Sequence, residues 1–163
     1  MKYKNYEDYR AKTQQEFNNL PIFFAFSDEQ FKEAMEARGL KETDTDKIYR
    51  LGDGYGGFYL KSDADIIRDY INKPDELPDL MKDKDFAISA FEYEMRNHEY
   101  AINWQGAYDV CSCFGHCRYG ENKGYTDYLK EIGYSDDVIQ CYKEAKKRYY
   151  KYCEEHDLFW CRV

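Results

Sequence analysis

Residues 21–40 read PIFFAFSDEQFKEAMEARGL. The first part, 22–26, is apolar and rich in rings but too short for a helix, so it predicts a short buried strand. Ser27 and Gln30 then form a capping box, and Phe26 and Phe31 stand at the two positions of a hydrophobic staple. Phe31, Ala34 and Met35 recur at helical spacing and predict the inward stripe of a helix. Gly39 supplies a left-handed stop, after which Leu40 folds back on Met35 as in a Schellman motif. A strand followed at once by a capped helix makes this chain a mixed α and β protein.

On the N-terminal side, Asn5 caps a helix to about Asn19, with Tyr6, Tyr9, Phe17 and Leu20 on one side, and Pro21 ends it. On the C-terminal side KETDTD is a polar loop, and KIYRL and GFYLK are short β-type runs around GDGYGG. A phosphate-loop reading of those glycines fails, because no Lys-Ser/Thr and no helix follow directly. They predict a hairpin turn. Ser62 with Asp65 caps a helix to about Asn72 that buries Ile66, Ile67, Tyr70 and Ile71 and finishes before Pro74. DELPDLMKD is a short helical connector, and Asp85 caps a helix from Phe86 to about Asn97 with Ile88, Phe91 and Met95 inward. Tyr100, Ile102 and Trp104 alternate as a half-buried strand would, Gln105 and Gly106 turn the chain, and 108–113 pairs back.

Beyond Gly115 come a loop, a short helix in GYTDYLKEIGY, and a long helix capped by Ser135 and running to about His156. Its apolar stripe is Ile139, Tyr142, Ala145, Tyr149 and Tyr152. The expected fold class is α+β: a small, mostly antiparallel sheet covered by helices, with a long C-terminal helix. The strands fall at about 22–26, 47–51, 57–61, 100–104 and 108–113. The 163 residues suit one domain, with 117–163 readable as a helical appendage.

The 18 Tyr and 10 Phe mean that rings supply much of the core and that some reach the surface, where Tyr favours binding. Formal charge is −8, and from Cys117 onward there are nine residues of each sign, so the acidic excess lies entirely in 1–116. Such a surface repels phosphate backbones and suits basic partners. The charged start MKYKNYEDYR lacks the apolar core of a signal peptide, and no run approaches the ~20 apolar residues that cross a bilayer. Six Cys without a secretion signal predict reduced thiols and a cytosolic setting.

Residues that could do chemistry gather in 91–117. Cys111, Cys113, His116 and Cys117 form C-x-C-x2-H-C, four soft ligands that could meet zinc, joined from the C-terminal end by Cys153, His156 and Cys161. The spacing is not the paired C-x2-C of a structural zinc site, and buried thiols explain it as well. Glu94 and His98, four apart, share one face of a helix and could make a metal pair or a base with its orienting carboxylate, with Asp109 opposite. Nucleophilic catalysis would need Cys113 or Cys117 beside His98 or His116. Tyr100, Trp104, Tyr108 and Asp109 are the candidate binding residues. KEAKKRYYKY interleaves cations with rings, as single-strand-binding surfaces do, but Lys143, Lys147 and Lys151 lie along one helix line and Glu144 with Arg148 makes an ordinary pair. Direct nucleic-acid binding is therefore not expected, and neither is a required cofactor.

The phrases PIFFAFSDEQF, GGFYLK, YEMRNHEYAINWQG and SCFG carry a resemblance. Over residues 20–115 the chain resembles a group of small uncharacterised proteins encoded by bacteriophages and integrative elements of low-GC Gram-positive gut bacteria. In that group an acidic residue commonly stands where this chain has Ala107, and the thiols around Cys113 are not a fixed feature. The resemblance implies no catalytic motif. It implies a context in which small acidic proteins bind a host protein, including defence nucleases, in the bacterial cytosol.

Overall fold

The computed structural model describes residues 2–52 and 56–158. The chain divides into two compact units, Gln14–Pro74 and Met1–Thr13 with Asp75–Val163. Helix α1 (Tyr6–Asn18) starts where Asn5 Oδ1 accepts the Asp8 amide at 2.9 Å, and its residues are divided between the units.

The smaller unit holds a three-stranded antiparallel sheet of β1 (Ile22–Phe24), β2 (Ile48–Leu51) and β3 (Gly57–Leu60), in the order β1-β3-β2. Phe58 on the central strand pairs with Phe23 on one side and Arg50 on the other. Helix α2 (Asp28–Glu36) closes one face, and Phe23, Met35 and Ile48 are the buried centre, with Phe31, Leu40 and Phe58 packed against them. Its caps follow the sequence, except that Gln30 bonds the amide of Phe26 and not that of the cap residue Ser27. Ser27 Oγ accepts from the Gln30 amide at 3.2 Å, Gln30 reaches back to the Phe26 amide at 2.8 Å, and the Leu40 amide returns to Met35 O at 3.0 Å. Phe26 does not close a staple, however. It is 76% exposed and stacks on Phe24.

The expected start of α3 (Ala64–Ile71) is corrected. A 3-10 turn over Lys61–Asp63 precedes it, and Ser62 Oγ turns to Asp63 instead of capping the helix. Of the residues expected inward, Ile67 is buried but Ile66 and Ile71 are exposed. β2 and β3 pair antiparallel, and residues 53–55 of the glycine stretch expected to turn between them lie outside the described residues.

The larger unit is helical. Helix α5 (Lys84–Asn97) is its axis, and the long helix α8 (Asp136–Glu155) lies along it. Asp83, not Asp85, is the cap of α5: its carboxylate accepts the Phe86 amide at 2.8 Å. From α5 the core takes Phe86, Ile88, Phe91 and Met95, and from α8 Val138, Ile139, Tyr142, Ala145 and Tyr149. Rings meet edge to face, with Phe91 4.9 Å from both Phe114 and Tyr142, and Tyr125 stacks on Tyr142 at 4.5 Å. Much of the Tyr excess is therefore interior. Helices α4 (Leu77–Leu80), α6 (Gly106–Ser112) and α7 (Tyr125–Ile132) complete the unit. Ser135 precedes α8 without a side-chain cap bond, and Asp136 and Asp137 in the first turn complement its dipole.

The last two expected strands are corrected as well. Residues 100–104 form turns, and 108–113 belong to α6 and its end. Glu99, at φ +49°, breaks α5, the amides of Ile102 and Asn103 both return to Glu99 O at 3.0 Å, and Asn103 Oδ1 accepts the Gln105 amide at 2.9 Å to start α6. Asn tolerates such local turns and competes with extended backbone. Among the described residues, no helix is long and apolar enough to cross a membrane.

Candidate functional site

The end of α5 and the end of α6 bring together residues that the sequence presents as two separate clusters. Glu94 and His98 share a face of α5, as their spacing requires, with His98 Nε2 3.6 Å from Glu94 Oε2. Cys113, the residue that ends α6, places its Sγ 3.3 Å from the same His98 nitrogen. The three ligand atoms lie within 4.8 Å of one another, the one such group of three among the described residues.

Glu94 is the centre of this cluster. It is the one buried charged side chain among the described residues, 1% exposed, and a buried carboxylate survives only where donors satisfy it. Tyr6 donates its hydroxyl to Oε1 at 2.7 Å, Asn97 donates to Oε2 at 3.0 Å, and the Arg10 guanidinium stands 3.8 Å from Oε1. None of these three donors was visible as a site residue in the sequence. Tyr6 and Arg10 lie more than eighty positions away, and Asn97 carries no motif. Burial and the hydrogen bond to Glu94 hold the Tyr6 hydroxyl well above the usual range of a phenol.

Asn103 fixes the opposite side. Its amide nitrogen donates to His98 O at 3.1 Å and to Asp109 Oδ2 at 2.7 Å. Asp109 is thus a positioning group for the loop, and its main-chain oxygen accepts the Cys113 thiol at 3.3 Å. Burial, and next the Glu94 charge, push the Cys113 thiol up to about 12. A nucleophile needs the reverse, a thiolate formed near neutral pH. The thiol and the carboxylate also approach the same imidazole nitrogen, whereas a base with its orienting carboxylate uses both ring nitrogens. This geometry does not match an acyl-transfer relay.

The remaining thiols lie elsewhere. Cys111 and Cys117 are buried in the core, burial raises both thiols, and His116 is exposed. Cys153 is buried in α8, His156 is exposed and bonds through Nδ1 to Tyr152 O, and Cys161 lies outside the described residues. On α8, Arg148 pairs with Glu144 at 3.1 Å, the ordinary pairing expected there.

The candidate binding residues separate into two groups. Tyr100 is core, 9% exposed, its ring edge-on to Tyr142, Tyr149 and Tyr150. Trp104 is 81% exposed, 6.0 Å from the ring of Tyr119, which in turn meets Tyr108 at 5.5 Å. These three rings and Tyr128 line a shallow cleft of about 310 Å³ that also carries Glu121 and Lys123. Tyr119 had no motif to mark it; its loop position alone set it apart.

The match to a family model covers residues 5–155 and therefore both units. The chain belongs to the family of unknown function DUF7659. The match takes in Tyr6, Glu94, His98 and Cys113 as well as Trp104 and Tyr119. No curated protein and no solved structure matches the chain.

Proposed function

We propose that this member of DUF7659 is a non-catalytic binding protein that meets a basic partner protein through the rings of Trp104, Tyr108 and Tyr119. The exposure of Trp104 carries the reading. An indole offers a large apolar area, and leaving 81% of it to water forgoes stabilisation that burial would supply. Trp and Tyr are the residues that most often anchor protein contacts, above all where neighbouring rings hold them in place. Tyr119 and Tyr108 provide that support here. The acidic excess of 1–116 would speed approach to a basic surface.

The partner we propose is a host protein, a nucleic-acid-targeting defence nuclease, with the chain encoded by a phage or mobile element and acting in the host cytosol. The acidic balance and the resemblance of residues 20–115 support this choice. The test is capture from host lysate at low and high salt by the native chain and by Trp104→Ala, followed by plating of restricted phage on strains that express each form. Capture and rescue by the native chain, both lost with Trp104→Ala, support the proposal. Absence of both, or full activity of Trp104→Ala, overturns it.

A further inference from the structure

We infer that Glu94, His98 and Cys113 form a mononuclear zinc site with one coordination position left for water. The first support is geometric. Zinc ligand lengths of ~2.0–2.3 Å at tetrahedral angles put neighbouring donor atoms about 3.3–3.6 Å apart. His98 Nε2 lies 3.3 Å from Cys113 Sγ and 3.6 Å from Glu94 Oε2, so two ligand pairs already stand at the separations a zinc ion would impose. Both contacts converge on one nitrogen, as they would around a single ion.

The second support is the surroundings of the ligands. Ligating carboxylates are usually held by hydrogen bonds from groups behind them. Glu94 has Tyr6 on Oε1 and Asn97 on Oε2, and a carboxylate has lone pairs enough to accept these and still bind a cation. Asn103 holds the backbone of His98, and through Asp109 the turn that ends in Cys113. The His98 side chain keeps 30% of its surface open, so the cluster is not sealed from solvent.

The charges balance. On binding, the Cys113 thiol proton leaves to solvent and sulfur bonds to the metal as thiolate, so thiolate and Glu94 together neutralise the dication. Arg10, 3.8 Å from Glu94, then adds a single positive charge on the far carboxylate oxygen. A thiolate, an imidazole and a carboxylate suit zinc better than magnesium or calcium, which prefer oxygen alone. The inference stands apart from the ring surface, although His98 and Cys113 bracket the segment that carries Trp104 and Tyr108.

The experiment uses the full chain, made without a histidine tag in zinc-supplemented medium. Elemental analysis should find about one zinc per chain, and chelator should lower the melting temperature. Cobalt(II) added to the metal-free protein should give a thiolate-to-cobalt charge-transfer band. That band should disappear in Cys113→Ser and persist in Cys117→Ser, and Tyr6→Phe should weaken the affinity ~10–100-fold. Alkylation mapped by mass spectrometry on the native chain needs no variant: zinc should protect Cys113 and leave Cys117 unchanged. Zinc near zero with no cobalt band overturns the site. So does stoichiometric zinc that leaves Cys113 open to alkylation.

Discussion

The hydroxyl of Tyr6 donates to Glu94 Oε1 at 2.7 Å, joining the first helix to the one charged side chain that the described residues bury completely. Tyr6 is itself only 1% exposed, so neither partner has water as a substitute. Removing one partner of a buried hydrogen bond leaves the other to bear its desolvation cost.

Tyr6→Phe keeps the ring and removes only that donor. It should destabilise the chain by about 1–3 kcal/mol, measured by urea unfolding. Glu94→Gln keeps the shape of the acceptor, and the double variant should cost less than the two single changes summed, because they share one contact. Additive losses would show that the bond contributes nothing beyond packing.

The contrast between Ser27 and Ser62 shows what was legible in the chain. Around Ser27 the signals for α2 are local, and the Ser27 cap and the Gly39 stop are realised within a few residues, although the Phe26 staple is not and Gln30 bonds the Phe26 amide. Around Ser62 the same kind of signal loses to a 3-10 turn. Residues 100–113 fail as strands because alternation is a weak cue over five positions. Tyr100 faces the core, whereas Ile102 and Trp104 both face out. Helix α6 begins at a glycine, with no strong propensity of its own. At Gly106 a Cβ would lie 3.0 Å from the Tyr100 ring and 3.1 Å from its carbonyl, a tight contact that Tyr100 would have to relieve by a small shift. The site divides the same way: the Glu94–His98 spacing was readable, while the arrival of Tyr6, Arg10 and Cys113 depends on tertiary packing.

Two glycines of the smaller unit should respond differently to a methyl group. Gly39 (φ +70°) and Gly56 (φ +63°) both hold left-handed backbone, which costs other residues about 1–2 kcal/mol. An added Cβ at Gly39 meets nothing within 4 Å, but at Gly56 it would sit 2.8 Å from Ala25 O. That oxygen belongs to a residue whose amide bonds to Gly56 O at 2.9 Å, so it cannot withdraw freely. Gly56→Ala should therefore lower the denaturation midpoint more than Gly39→Ala. Equal losses would mean that backbone strain alone decides.

Alkaline pH should unfold the protein through its interior phenols. Burial pushes Tyr134 and Tyr149 up to about 12 from an ordinary value near 10, and burial raises Tyr142 further still. A group whose folded value lies above its unfolded value keeps its proton in the fold. Its stabilisation is complete below about pH 10 and is lost as pH rises toward about 12. Circular dichroism and tyrosinate absorbance followed together should show the late rise in absorbance coinciding with loss of helix. A complete tyrosinate signal from a still-folded chain would contradict this.

Tyr100 and Trp104, four residues apart, should part company on truncation. Tyr100 packs among three tyrosine rings, with Lys146 Nζ 5.4 Å from its own ring centre. Tyr100→Ala opens a cavity in that cluster and should cost about 3–5 kcal/mol, the range for large aromatic truncations in a core. Trp104→Ala removes a side chain that is 81% exposed and should change stability by no more than about 0.5 kcal/mol. Thermal unfolding of both variants checks the pair. A large loss with Trp104→Ala would mean that the indole is covered in solution, and the proposed contact surface would fall with it. A neutral Trp104→Ala that no longer captures the partner would place the indole's contribution in binding and not in the fold.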